Sequence, residues 1–219
     1  MPARKHSRDD VIRAALGLLD DEGLDAVSVR EVARRMGVNV NTVSFQVGTK
    51  ARLLGLMSDA VLAELSLENL PEDGIERAKE VLARYRRVLL AHRDGARLTA
   101  GNAPLEKHTM MLAETLIAAL TEAGVPDEES IKTMWALFYF MLGLTQEQQA
   151  VGSGAVDIER GLSSGDYPTL QRLGRDVVDL DFDERFEFGI DVLTTPLLAR
   201  TRHAPVAAGN GSPGGGRVS

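Results

Sequence analysis

Basic and hydrogen-bonding side chains are concentrated in residues 28–50. This segment has Arg30, a run of amide and hydroxyl side chains between 39 and 46, and Lys50. Such groups bind phosphate oxygens and the edges of DNA bases. The chain has no cysteine, and its four histidines are isolated in the sequence. This pattern predicts neither a set of metal ligands nor a nucleophile paired with a base. These histidines are His6, His92, His108 and His203.

The same segment has the pattern of two helices joined by a tight turn. Ser28 followed by Glu31 is typical of a capping box, so we expect the first helix to begin at Val29. Gly37 stands where the chain must adopt a left-handed conformation to end that helix. This arrangement is a helix-turn-helix, which inserts its second helix into the major groove of DNA. An ordinary helical hairpin is the alternative.

We therefore predict that DNA is contacted by the second helix and by residues next to it. Asn41 is able to pair bidentately with adenine, and Lys50 follows Thr49 at a helix N-terminus, which favours a phosphate. For Phe45, contact with a thymine methyl group is one role, and packing beneath the helix is the favoured one. The predicted DNA-binding residues are Arg30, Asn39, Val40, Asn41, Thr42, Ser44, Phe45, Gln46 and Lys50.

The net charge of −7 is unevenly distributed along the chain. Residues 1–50 have 8 Lys and Arg against 7 Asp and Glu, a net charge of +1, so the other 169 residues have a net charge of −8. Affinity for phosphates depends on local basic groups more than on the charge of the whole chain. The total charge therefore neither supports nor excludes DNA binding.

The composition predicts an all-α, cytoplasmic protein without membrane contact. No secretory signal is visible, and the longest uncharged apolar run, residues 134–144, has 11 residues and is too short to span a bilayer. Helical periodicity dominates, and strand signals are nearly absent. We expect a helix-turn-helix head, a connecting helix, a larger helical body and a disordered glycine-rich tail, at residues 1–49, 50–69, 70–202 and 203–219.

Two helices of the body are expected to join two copies of the chain. The helix near 128–150 is apolar on more than one face, which favours burial in a subunit interface. With the last helix, near 183–200, it is expected to form an isologous four-helix bundle in a homodimer.

The order of head and body, together with motifs in the body, resembles the tetracycline repressor (TetR) family. The most specific motifs are Leu-Leu-Ala-His-Arg-Asp-Gly-Ala at 89–96, Pro-Leu-Glu-Lys at 104–107, and Leu142-Gly143 followed by Glu147 and Gln149. They are similar to the tetracycline repressors themselves. The resemblance implies a homodimeric transcriptional repressor that binds a palindromic operator and is released by a small-molecule effector. The connecting helix would then transmit the effector signal to the head.

The resemblance also implies an effector pocket whose polar groups differ from those of the tetracycline repressors. Those proteins bind their drug as a magnesium chelate, with a histidine ligand where this chain has Thr99. A threonine hydroxyl is a poor substitute for imidazole as a metal ligand. Other polar positions of the pocket are replaced by Ser66, Val81 and Ala103. We therefore expect a hydrophobic or aromatic effector without a metal, and no cofactor.

Two features of that pocket are retained, since Glu147 matches its acidic group and Tyr85 matches an aromatic wall. Methionines at 110, 111, 134 and 141 could line an adaptable pocket, although core packing is the favoured role for each. The predicted effector-binding residues are Ser66, Val81, Tyr85, Thr99, Ala103, Pro104, Met110, Thr115, Met134, Phe138 and Glu147.

Two other functions stay open at this point. One is a DNA-binding regulator that needs no effector or that activates transcription. The other, with less support, is a helical enzyme, because His92-Arg93-Asp94 is similar to a kinase catalytic loop. No glycine-rich phosphate loop or Asp-Phe-Gly accompanies it in the sequence, which favours a chance match.

Overall fold

The computed structural model describes residues 6–100, 106–151, 165–173 and 181–201, and its regular elements in these ranges are all helical. The all-α prediction is confirmed. The predicted tail, 203–219, lies outside the described residues. The helices are α1 (Arg8–Glu22), α2 (Val29–Met36), α3 (Val40–Val47), α4 (Lys50–Leu62), α5 (Gly74–Ala91), α6 (Gly95–Thr99), α7 (Lys107–Glu122), α8 (Asp127–Val151), α9 (Pro168–Leu173) and α10 (Phe182–Thr201), with a 3-10 turn at Leu24–Ala26.

Local sequence signals fix the helices of the head. The Ser28 hydroxyl accepts a hydrogen bond from the Glu31 N–H (3.1 Å), which starts α2 at Val29. The Glu31 carboxylate binds Arg34 instead of bonding back to Ser28, so only half of the expected capping box forms. Gly37 ends α2 in the left-handed conformation (φ 66°). The interior of the head is formed by Val11, Ala15, Leu18, Leu19, Val32, Ala33, Val43 and Val47.

The connecting helix α4 is shorter than predicted, since it ends at Leu62 rather than at Asn69. Arg84 of α5 donates to the carbonyl groups of Ser66 and Glu68 (3.0 and 2.7 Å), which holds this stretch of chain against α5. Asn69 then takes a positive φ of 51°, which a continuing right-handed helix does not allow. A tertiary contact therefore ends the helix earlier than the local sequence indicates.

The body is built around α5, which packs against α7 and α8. Its buried Arg86 donates to Gln148 of α8 and to Asp183 of α10, both at 2.6 Å, so one guanidinium ties three helices together. The bounds of α8 and α10 lie within one residue of the predicted 128–150 and 183–200. The short helix α9 covers Pro168–Leu173, and residues 174–180 lie outside the described part of the chain.

Candidate DNA-binding surface and effector pocket

The recognition helix α3 and the start of α4 present the predicted DNA contacts at the surface. Arg30, Asn41 and Lys50 are exposed, whereas Thr42 and Ser44 are half-buried. Two other polar side chains close to them serve as helix caps. Asn39 accepts a hydrogen bond from the Asn41 N–H (2.9 Å), and Thr49 accepts one from the Arg52 N–H (3.1 Å). These caps fix the N-termini of α3 and α4, and the free N–H groups of a helix N-terminus favour an anion such as phosphate.

Phe45 is 86% exposed, so the expectation that it packs beneath the helix is wrong. Val43 and Val47, one turn apart, already supply the buried face of α3, and a residue midway between them must point to the opposite side. The aromatic ring therefore lies on the surface, and Val40 at the start of the helix is 38% exposed. An exposed ring on a recognition helix is available for contact with a thymine methyl group.

Gln46 is half-buried rather than directed outward as predicted. Its side-chain Nε2 donates to the carbonyl of His6 (3.0 Å), and its own carbonyl accepts a hydrogen bond from Arg8 Nε (3.3 Å). Gln46 therefore holds the start of the chain against the end of α3. Contact of Gln46 with DNA stays a prediction.

In the body, the fold brings three of the predicted pocket residues together from three helices. The rings of Tyr85 on α5 and Phe138 on α8 stack at 6.0 Å between centroids, with 29° between their planes. The Thr99 hydroxyl on α6 donates to the Gly95 carbonyl (3.1 Å) and accepts from the hydroxyl of Ser58 on α4 (3.5 Å). Ser58 is fully buried and was not predicted, because no local signal links it to a residue 41 positions away.

The Tyr85 hydroxyl is buried and has no hydrogen-bond partner among the described residues. Burial raises the pKa of Tyr85 well above its ordinary value, and the nearby Thr99 hydroxyl, although not in hydrogen-bond geometry, opposes this weakly. The phenol therefore stays protonated at neutral pH and is free to donate. A buried polar group without a partner destabilises the fold, and a functional role is one explanation for keeping it.

The other predicted pocket residues differ in how far they are buried. Val81 and Met134 are buried, one helical turn from Tyr85 and Phe138 respectively. The surface group consists of Ser66, Met110 and Glu147, which are exposed. Thr115 is half-buried and donates to the Met111 carbonyl (2.8 Å), while Ala103 and Pro104 lie outside the described residues.

The four methionines also divide, which corrects part of the expectation for them. Met134 and Met141 are buried in the core, the favoured role. Met110 and Met111 are 52% and 45% exposed, so core packing was wrong for these two. Both lie in the first turn and a half of α7, whose inward face is formed instead by Leu112.

The donor groups at Thr99 do not suit a divalent cation. Its hydroxyl is already bonded to Gly95 and Ser58, and a neutral hydroxyl is a weak ligand. Within the part of the chain that the structure describes, no three His, Asp or Glu side chains lie close enough together to hold a metal ion.

The motif at 89–96 joins the body to the head. The Asp94 carboxylate accepts a hydrogen bond from the Leu24 N–H (2.9 Å), and Arg97 binds the Asp25 carboxylate through two nitrogens (2.7 and 3.0 Å). The hydrogen bond and charge of Arg97 lower the pKa of Asp25. From α8, Gln149 donates to the His92 carbonyl (2.8 Å) and so fixes the turn that carries these groups. The kinase-like triplet therefore forms part of the joint between the body and the head.

One face of α8 and α10 is apolar and exposed in the single chain. Trp135 and Tyr139 on α8 are 41% and 63% exposed, and Phe188 on α10 is 73% exposed. A Cβ atom at Gly189 would overlap the ring of Phe140, so glycine allows these two helices to approach closely. Large exposed aromatic side chains on two packed helices make this part of the body a candidate interaction surface.

Comparison with known families decides what this arrangement belongs to. A model described as bacterial regulatory proteins, tetR family, matches residues 11–57, and one described as tetracyclin repressor-like, C-terminal domain, matches residues 68–200. The chain belongs to the TetR family. It is 31% identical to the tetracycline repressor protein class E of Escherichia coli over 211 residues, which cover 93% of this chain and 98% of that protein.

Two solved structures of TetR-family relatives show the two kinds of ligand. The Streptomyces coelicolor TetR family protein ActR, in complex with actinorhodin, matches with a TM-score of 0.81 and 31% identity, over 93% of this chain and 100% of that one. BioQ with its double-stranded DNA operator matches with a TM-score of 0.67 and 25% identity, over 89% and 99% of the two chains.

This TetR-family chain is a ligand-responsive transcriptional repressor, as the resemblance implied. Its relatives are transcriptional regulators that bind operator DNA and small molecules. No helix in the described ranges is long and apolar enough to cross a membrane.

Proposed function

We propose that this repressor binds a palindromic operator as a homodimer and is released by an aromatic effector that needs no metal. The observation that carries the proposal is Tyr85, whose ring stacks against Phe138 and whose buried hydroxyl, beside Thr99, has no hydrogen-bond partner among the described residues. This cluster offers a hydrogen-bond donor inside an apolar wall. Pockets of this composition bind small molecules through an apolar body and a few fixed polar contacts.

The chemistry of the cluster indicates the class of effector. A planar ring inserted beside the Phe138 ring gains stacking contacts. A carbonyl or phenolate oxygen on that ring accepts a hydrogen bond from the Tyr85 hydroxyl. Because Thr99 replaces a metal-binding histidine, the effector's oxygens would be bound directly by side-chain hydroxyl groups. Actinorhodin, the ligand of the related ActR, is an aromatic compound with such oxygens and is therefore a suitable probe.

The homodimer would form through the exposed face of α8 and α10. Trp135, Tyr139 and Phe188 supply aromatic area on these neighbouring helices, and a second copy buries it by a two-fold axis. Two heads related by that axis would read two half-sites about one turn of DNA or more apart.

Within each copy, we propose a head of residues 1–49 that contacts DNA, a connecting stretch at 50–69, and a body at 70–202 that binds the effector and the second copy. The exposed Arg30, Asn41, Phe45 and Lys50 support the assignment of the DNA surface. We propose a binding protein rather than an enzyme, since His92 and Asp94 already serve the joint with the head.

The single tryptophan provides a direct test of the effector site. Trp135 stands edge-on to Phe138, with 5.9 Å between ring centroids, so a ligand beside Phe138 changes its fluorescence. We expect saturable quenching by actinorhodin in EDTA, and at least about fivefold weaker binding to Tyr85→Phe, because one hydrogen bond of about 1 kcal/mol is lost.

The matched control is Tyr167→Phe, which removes the same hydroxyl from an exposed site just before α9 and should leave binding unchanged. Magnesium with tetracycline is the comparison ligand. Tight binding of that chelate, abolished by EDTA, would contradict the proposal. Saturable binding of aromatic compounds that never alters operator binding would favour an effector-independent regulator.

A further inference from the structure

The N-terminus of α7 is capped by a side chain from another helix. Asp59 of α4 accepts hydrogen bonds from the backbone N–H groups of His108 (2.9 Å) and Thr109 (3.1 Å). Its second oxygen lies 2.9 Å from Nδ1 of the His108 ring. A carboxylate at this place accepts from free N–H groups and interacts favourably with the positive end of the helix dipole.

This cap replaces one that the local sequence does not provide. Glu106, at the N-cap position of α7, makes no side-chain capping bond and instead forms an ion pair with Arg52 of α4. Asp59 is 14% exposed, so its bonds are shielded from water. Two side chains of α4, Arg52 and Asp59, therefore hold the start of α7, and both do so through directional polar contacts.

The residue next to Asp59 holds a second helix. Ser58 donates to Thr99 at the end of α6, as described above. Adjacent residues of α4 are thus bonded to the end of α6 and to the start of α7. Of the predicted effector residues, Thr99 is the last residue of α6, and Ala103 and Pro104 lie between these two helices in the sequence.

The other end of α4 belongs to the head. Leu53 and Met57 are fully buried, and α4 packs against α1. A shift of α4 therefore moves α1, whose following turn contacts the body through the Leu24 N–H and Asp94.

We propose that Asp59 is a positioning residue that couples the start of α7 to the seating of the head on the body. Displacement of α7 changes the length of the bonds at Asp59, and α4 follows because a short, shielded, multiply bonded carboxylate resists stretching more than an apolar contact does. The proposed effector is one cause of such a displacement, and in that respect the inference rests on the proposed function.

The test is amide hydrogen exchange on the full chain, comparing the parent protein with Asp59→Ala and Asp59→Asn. The amides of His108 and Thr109 report the cap, the Leu24 amide reports the seating of the head, and the amide of fully buried Leu18 inside α1 reports global unfolding. A merely structural role for Asp59 in capping α7 would not alter exchange at Leu24.

We expect Asp59→Ala to speed exchange about tenfold at His108 and Thr109 and at least about threefold at Leu24, with Leu18 unchanged. Asp59→Asn keeps an acceptor oxygen of similar shape and should give smaller increases at both places, in the same order. Faster exchange at His108 with an unchanged Leu24 amide would overturn the proposal, and so would unchanged exchange at His108.

Asp94→Asn provides the matched control, since it weakens the Leu24 bond directly and should leave His108 and Thr109 protected. If Asp59→Ala also speeds exchange at Leu18, the milder Asp59→Asn decides, and an increase at His108 without one at Leu24 contradicts the coupling. Neither effector nor DNA is present, so failure here is separate from failure of the proposed function.

Discussion

The proposed DNA-binding surface and the proposed effector pocket hold their polar side chains in opposite environments. On the head, Arg30, Asn41 and Lys50 stand in water, where an unoccupied donor costs nothing. In the body, the Tyr85 hydroxyl is buried and has no partner among the described residues, a cost to the fold that the proposed effector would remove by accepting a hydrogen bond. If the proposal holds, the head gains affinity from charge and from many contacts, whereas the pocket gains selectivity from a few desolvated groups.

The largest expected effect concerns the exposed apolar side chains of α8 and α10, which we propose form the dimer interface. Phe188→Asp places a charge on the proposed dimer face of α10 without disturbing the core, because Phe188 is 73% exposed. We expect a monomer by sedimentation and operator affinity lower by about 100-fold, because the two heads no longer act together. Glu187→Gln is the neighbouring control. A Phe188→Asp protein that stays dimeric would place the interface elsewhere.

A smaller effect is expected where the head relies on charge. Lys50→Ala should lower affinity for every DNA sequence about tenfold and reduce the salt slope of binding by about one, because one phosphate contact is lost. Fluorescence anisotropy at several salt concentrations measures both quantities. Lys107→Ala removes an equally exposed lysine at the start of α7 and should change neither. An unchanged slope for Lys50→Ala would remove its phosphate contact.

The pocket should behave differently when its polar group is removed. Tyr85→Phe should leave the free energy of unfolding unchanged or raise it by up to about 1 kcal/mol, because the removed hydroxyl has no partner among the described residues of the free protein. The same variant should bind aromatic effectors more weakly. Urea unfolding measures the first quantity. A loss of stability above about 1 kcal/mol would show that the hydroxyl is paired after all.

The smallest effect concerns Gln46, which lies on the proposed DNA-binding helix but, like the polar groups of the pocket, is partly buried. Gln46→Ala should weaken operator binding about twofold, because only the bond to the His6 carbonyl is lost and no base contact is assumed. The loss should be equal for operator variants with single base changes. A changed preference at one base pair would show that Gln46 contacts that base directly.

Short-range signals explain why the head could be predicted from sequence. Ser28 and Gly37 act within three or four residues of their positions, and both set the ends of α2 as expected. Phe45 was misplaced because an aromatic residue on a small helix usually favours the core. The side chains of Val43 and Val47 already fill the core on the buried face of that helix.

Contacts between distant residues explain what could not be predicted. Ser58 and Asp59 join residues 41 and 49 positions away, and nothing in α4 itself indicates those partners. A carboxylate within the apolar stripe of α4 is the one signal that could have drawn attention to Asp59. The early end of α4 likewise depends on Arg84, a residue of the next helix.

Release of operator DNA tests the central claim most directly. A duplex selected from a random pool by the full chain is followed by anisotropy while actinorhodin is added, once with excess EDTA and once with magnesium. We predict release at the same effector concentration in both solutions. Release that needs magnesium and is abolished by EDTA would contradict a repressor whose effector binds through Tyr85 without a metal.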